Sequence, residues 1–130
     1  MMKARDHKLF FVRMICLALL AFSACSEGST EPELVINLDP PSELQASRVP
    51  GKVAVRLTWK DNSNSEVGFA IERRQNNGTF QDRIFTIKDV TSAIDSMGLT
   101  IGATYSYRIR ATRYSEASPP SNVATVTLTP

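Results

Sequence analysis

In this 130-residue chain two carboxylates, Asp61 and Glu66, bracket a wholly polar stretch between two apolar runs, Asp61-Asn62-Ser63-Asn64-Ser65-Glu66. A carboxylate pair can divide the acid and base roles of a reaction, and oxygen-rich loops suit hard cations or sugars. Asx and Ser side chains in such a stretch also satisfy the backbone of a turn. The stretch lacks the glycine and the ligand spacing of a calcium loop, so a turn is the expectation and no metal is expected. The rest of the catalytic inventory is short. His7 is the only histidine and Cys16 and Cys25 the only cysteines, all within the first 25 residues. No serine or cysteine nucleophile beyond them has a histidine partner. Neither a Gly-rich phosphate loop nor Cys/His metal-ligand spacing occurs. The chain therefore reads as a non-enzyme without a cofactor.

Surface chemistry offers further candidates. Arg108 and Arg110 alternate with apolar residues and point away from the core, on the same sheet face as Glu72. A face for acidic polymers is one reading, and a ladder of solvated cross-strand charge pairs is the expected one. Arg113-Tyr-Ser-Glu-Ala-Ser-Pro-Pro-Ser121 carries Tyr114 as its lone aromatic and Glu116 beside it. An exposed aromatic on a rigid edge can anchor a partner, while a ring folded onto the sheet would not. Tyr114, Glu116, Asp61, Asn62 and Glu66 are thus the possible ligand contacts. Asn77-Gly78-Thr79 spells a glycosylation acceptor, but a hairpin turn explains it better.

The elements that must position these residues begin with an address. Lys3, Arg5, Lys8 and Arg13 form a basic region, Met14 to Phe22 a short apolar core, and Ser23-Ala24 a pair of small residues. That is the layout of a secretory signal peptide over residues 1–24, with an apolar run too short to span a bilayer. Phe22-Ser23-Ala24-Cys25 resembles the lipobox of bacterial lipoproteins, which implies cleavage before Cys25 and lipid on that cysteine. Two or more acyl chains anchor firmly where one holds only marginally. Removing residues 1–24 turns the formal charge of +2 into 11 basic against 12 acidic residues, a net of −1. Nucleic-acid binding, which needs a phosphate-neutralising basic surface, loses its support. With Cys16 removed and Cys25 acylated, no internal disulfide forms, and stability must come from a core. Residues 25–39 read as the lipidated cysteine and a polar, acidic tether whose coil would span about 20 Å. Leu34-Val35-Ile36 is a possible extra edge strand.

From Pro40 to Pro130 the pattern is β throughout. Leu44 and Ala46 mark a first strand. Val53, Val55, Leu57 and Trp59 alternate with Ala54, Arg56 and Thr58 in a second. Phe69 and Ile71 mark a third, which turns at Asn76-Asn77-Gly78, where Asn-Gly supplies positive φ angles, so that Phe80 to Ile87 returns beside it. Thr91 to Asp95 is a strand in which either Ala93 or Ile94 could face inward. A corner at Leu99 leads into a strand with Tyr105, Tyr107, Ile109 and Ala111 on one face. Arg113 to Asn122 reads as a loop, with Pro119-Pro120 excluding regular structure, and Val123 to Thr129 is the final strand. Seven short strands with no helical period after residue 24 indicate an all-β, antiparallel sandwich of immunoglobulin-like type.

Pro41-Ser-Glu-Leu44, Leu57-Thr-Trp59, Gly68-Phe-Ala-Ile-Glu-Arg73, Leu99-Thr-Ile-Gly102-Ala-Thr-Tyr105-Ser-Tyr-Arg-Ile-Arg-Ala111 and Ser121-Asn-Val123 together resemble the fibronectin type III domain in its bacterial form. The resemblance implies strands A, B and E facing C, C′, F and G, with Trp59 in the core and Tyr105 at a tyrosine corner whose hydroxyl bonds upstream backbone. The expected core is Trp59, Phe69, Ile71, Leu99, Tyr105, Tyr107 and Ile109. Ala93 stands where the family often has an aromatic, which implies thinner packing beneath the corner. The resulting expectation is a monomeric, membrane-attached lipoprotein of the bacterial cell envelope, at the outer membrane. It would serve interaction, adhesion or spacing, with an envelope protein or glycan as partner. The alternatives are an ancillary carbohydrate-binding module, which two or more exposed aromatics on one face would favour, and a structural companion of a secreted hydrolase.

Overall fold

The computed structural model describes residues 36–130. The signal segment, Cys25, the tether as far as Val35 and the possible strand at Leu34-Val35 lie outside the described residues. Those that are described form eight strands, β1 (Ser42–Arg48), β2 (Val55–Lys60), β3 (Gly68–Gln75), β4 (Gln81–Ile87), β5 (Ser92–Asp95), β6 (Thr104–Arg113), β7 (Glu116–Ala117) and β8 (Ala124–Thr127). They pair antiparallel in two sheets, β1-β2-β5 and β4-β3-β6, with β7 and β8 both on the far edge of β6. This is the expected sandwich of A, B and E against C, C′, F and G.

Period-two patterning builds the core. Val55, Leu57 and Trp59 of β2 point inward and Arg56, Thr58 and Lys60 outward. On the opposing sheet Phe69 and Ile71 of β3 and Tyr105, Tyr107, Ile109 and Ala111 of β6 are fully buried, and Leu128 closes the end. Trp59 meets Phe69 edge to face, with centroids 5.7 Å apart and planes at 68°, an arrangement the ring quadrupoles favour. Leu99 packs partly buried at the rim. The tyrosine corner is present, since the Thr100 backbone N–H donates to the Tyr105 hydroxyl oxygen at 2.9 Å. Gly68 has a steric reason, because a Cβ there would lie 1.9 Å from the Thr86 carbonyl oxygen.

Three details differ from the sequence expectation. The second strand starts at Val55, with Ala54 buried and Val53 exposed, because a turn closed by the Val49 N–H on the Ala54 carbonyl (2.9 Å) delays it. In the turn after β3, the positive φ falls on Asn76 (49°) and not on Asn77-Gly78. Asn76 donates its N–H to the Thr104 carbonyl (2.7 Å) and accepts the Thr104 N–H on its side chain (3.2 Å). These bonds hold it in the left-handed region that Asn tolerates. Third, the stretch after β6 is a hairpin, not a loop, with Glu116 opposite Arg113 and Ala117 opposite Thr112. Pro119 and Pro120 have no N–H to donate, so the edge strand splits there. Ser118 N–H and Ser121 N–H, each 2.8 Å from a β6 carbonyl, carry the pairing across the gap to β8.

In β5 the choice left open by the sequence falls on Ala93, which faces the core while Ile94 is exposed, and this turns Asp95 inward, where it is only 2 % exposed. A buried carboxylate is costly unless paired and hydrogen-bonded. Arg73 Nη1 donates to Asp95 Oδ2 at 2.7 Å and the Tyr107 hydroxyl donates to the same oxygen at 3.0 Å, while Oδ1 accepts the Met97 N–H at 3.3 Å. Arg73 and Arg83 also donate to the Met97 carbonyl, at 2.8 and 2.9 Å. The cluster joins β5 of one sheet to β3 and β6 of the other.

Burial, followed by the neighbouring Asp95 charge, pushes the Tyr107 hydroxyl well above its ordinary value of 10.0. A pKa raised in the fold makes a contribution that is complete below the unfolded value and is lost as pH climbs above it. Urea unfolding between pH 9 and 11.5 is therefore expected to show stability falling above pH about 10, by up to about 1.4 kcal/mol per pH unit for this one proton. In Tyr107→Phe the fall should be shallower.

Candidate functional site

The β2–β3 loop is built as the turn its composition suggests. Asp61 Oδ1 accepts the Ser63 N–H at 2.9 Å, an Asx turn. The Asn62 amide donates to the Pro40 carbonyl (2.9 Å) and to Ser42 Oγ (3.0 Å), so it fastens the loop to the incoming chain. Asn64 and Ser65 bond to Asn37, and the Ser63 hydroxyl donates to the Asp39 carbonyl at 2.7 Å. The hydrogen bonding of the domain thus reaches back to Asn37, into the last residues of the expected tether. Val67 N–H donates to the Thr112 carbonyl at 2.8 Å, which sets the base of this loop beside the β6–β7 hairpin.

Glu66 departs from the rest of the loop. It is 7 % exposed, and its Oε2 is buried without a hydrogen-bond partner. One carboxylate oxygen each from Asp61, Glu66 and Asp89, the last in the β4–β5 connection, lie within 4.8 Å of one another. Asp89 has a φ of 62° and an exposed contact to Lys88 at 3.6 Å. The sequence pair Asp61 and Glu66 is therefore brought together, with a third acid that sequence reasoning did not single out.

The hairpin presents Tyr114 at its tip with a φ of 51° and 86 % of its surface exposed. Of the two orientations open to it, the ring takes the outward one, with the Arg113 guanidinium 5.7 Å from its centroid. Beside it lies a shallow depression of about 440 Å³, lined among others by Phe85, Glu72, Asp82, Arg110, Tyr114 and Glu116. Phe85, 68 % exposed, is the second aromatic here. Sequence reasoning missed it because Ile84-Phe85-Thr86-Ile87 is nearly apolar on both faces of an edge strand. The usable signal was an excess of apolar residues over the number one face can bury.

The expected charge ladder is present. Glu72 bonds Arg108 Nε through Oε2 and lies 3.4 Å from Arg110 Nε through Oε1. Arg108 and Arg74 also stack over Phe80, with guanidinium carbons 4.3 and 4.8 Å from the ring centroid. Their charges are thus engaged within the domain. The depression combines two exposed rings with charged side chains, and so offers apolar contact and hydrogen bonding.

No protein-family model matches the chain, and no curated protein matches it in sequence. Solved structures do match in fold. Part of a β-1,2-glucanase from Parabacteroides distasonis superposes with a TM-score of 0.62 at 20 % identity, over 72 % of this chain and 13 % of the glucanase. An Fn3-like protein from Clostridium thermocellum gives 0.58 at 20 % identity, over 68 % of this chain and 90 % of that one. An FN3 domain of human collagen XX gives 0.57 at 18 %, over 72 % and 94 %. The chain has the fibronectin type III fold.

Proposed function

We propose that this chain is a non-catalytic binding module of the bacterial cell envelope. Lipid on Cys25 attaches it to the membrane, the residues between Cys25 and Asn37 space it from the surface, and the sandwich is the displayed domain. The lipobox-like Phe22-Ser23-Ala24-Cys25 supports the anchor. The observation that carries the binding role is the pair of exposed aromatics, Phe85 on β4 and Tyr114 at the tip of the β6–β7 hairpin, bordering one depression on the same sheet. Aromatic side chains held on a rigid frame give large contact area at little cost in conformational entropy. An envelope protein is the first reading of the partner. A glycan is the second, favoured by two rings on one face with Glu72, Asp82, Arg110 and Glu116 around them as hydroxyl partners.

Fractionation of cells tests the anchor. Cys25→Ser should move the protein from the membrane pellet to the soluble fraction, and a variant still in the pellet contradicts the lipid. For the surface, the purified protein is applied to isolated envelopes. Tyr114→Ala and Phe85→Ala should each weaken retention about tenfold or more, equivalent to about 1.4 kcal/mol, with unchanged circular dichroism. Loss of retention after protease treatment of the envelopes identifies a protein partner, and loss after periodate oxidation a glycan. Full retention by both alanine variants contradicts the assignment of this face.

A further inference from the structure

The acidic cluster at the base of the β2–β3 loop carries an inference beyond the binding face. Asp61 and Glu66 come from one connection and Asp89 from another, and their carboxylate oxygens share a space no wider than 4.8 Å. Two oxygens on opposite sides of one calcium ion, at the usual 2.3–2.6 Å from it, are about 4.6–5.2 Å apart. Three oxygens gathered this closely need only small side-chain shifts to close on a single ion. Magnesium demands strict octahedral geometry at about 2.0–2.1 Å and sheds its water reluctantly, so an all-carboxylate protein site suits it less well. The chemistry of the set is also that of a hard cation, all oxygen and all anionic.

Glu66 supplies the independent reason for a ligand. Its residue is more than nine-tenths buried, and Oε2 finds no donor within the fold. Buried carboxylates are ordinarily paired with a cation or saturated with N–H donors. The other buried carboxylate, Asp95, has Arg73, Tyr107 and the Met97 N–H. Glu66 has two like-charged neighbours in their place, and among the described residues the three carboxylates make one ion pair, the exposed contact of Lys88 with Asp89. We infer that Asp61, Glu66 and Asp89 form a calcium-binding site that ties the β2–β3 loop to the β4–β5 connection, with water completing the shell.

The sequence concealed this site because it is not a contiguous loop motif. Its third ligand arrives only when β4 has folded back along β3. With three carboxylates and an exposed rim, the affinity should lie in the range of extracellular modules, with Kd about 10⁻⁴–10⁻³ M.

The test uses the full chain, stripped with chelator and titrated with calcium chloride in a calorimeter. Thermal unfolding is followed in parallel by the fluorescence of Trp59, the single tryptophan. One site per chain is expected. At a hundredfold excess of calcium over Kd, Tm should rise by about 10 °C or more, and equimolar magnesium should give less than half that shift. Glu66→Gln should abolish the response. Because Glu66 is buried and its replacement perturbs the fold, exposed Asp89→Asn provides the second arm, with at least a tenfold weaker Kd and unaltered circular dichroism. Absence of heat and of a Tm shift in the unmutated protein at 10 mM calcium overturns the proposal. So does calcium binding that survives unchanged in Asp89→Asn, which would place the ion elsewhere. Retention on envelopes is a separate measurement, so either reading can fail while the other stands.

Discussion

A single buried carboxylate, Asp95, ties the two sheets of this sandwich together by direction as well as by contact. Apolar burial between Trp59, Phe69, Tyr105, Ile109 and their neighbours is strong but non-directional, and would tolerate small slips of one sheet over the other. The Asp95 bonds to Arg73 and Tyr107 tolerate none, because each spans from β5 to the opposing sheet at hydrogen-bond distance. A slip would leave a carboxylate and a guanidinium buried and unpaired. Removing one partner of such a pair costs far more than the intact pair contributes. The cluster thus selects one alignment of the sheets.

The clamp and the candidate sites occupy opposite ends of the strands. Asp95 lies opposite Val55 at the start of β2, and Arg73 opposite Tyr107 in the first half of β6. Gly68 lies opposite Thr112 at the other end, where the β2–β3 loop, the β4–β5 connection and the β6–β7 hairpin emerge. A domain fixed at one end can display chemistry at the other without relying on the loops for stability. Here the displayed end holds the aromatic pair and the three carboxylates. The split edge strand fits this division, since Ser118 and Ser121 keep the hairpin bonded to β6 although the two prolines interrupt the ladder.

Most of the frame was legible because its signals are local. Strict alternation in Val55-Leu57-Trp59 and in Tyr105-Tyr107-Ile109 fixes which face is buried, and the tyrosine corner needs only a few consecutive residues. What escaped is long-range. Ser92-Ala93-Ile94-Asp95 leaves both Ala93 and Ile94 open as the inward residue. Asp95 wins only because Arg73 and Tyr107 wait across the interface, and no local pattern carries that information. Phe85 escaped because an edge strand can be apolar on a face that nothing covers. Asp89 escaped because its partners lie in a different connection. Tyr114 was open between two orientations, and the left-handed backbone at the hairpin tip turned it outward.

The measurement that most directly tests this account is a double-mutant cycle at the clamp, with Asp95→Ala, Arg73→Ala and the double variant compared by urea unfolding. If the buried pair sets the alignment of the sheets, each single change costs about 3 kcal/mol or more, and the double costs less than their sum by at least about 1.5 kcal/mol. Losses that add to within about 0.5 kcal/mol would contradict it, and would show that apolar packing alone holds the two sheets in place.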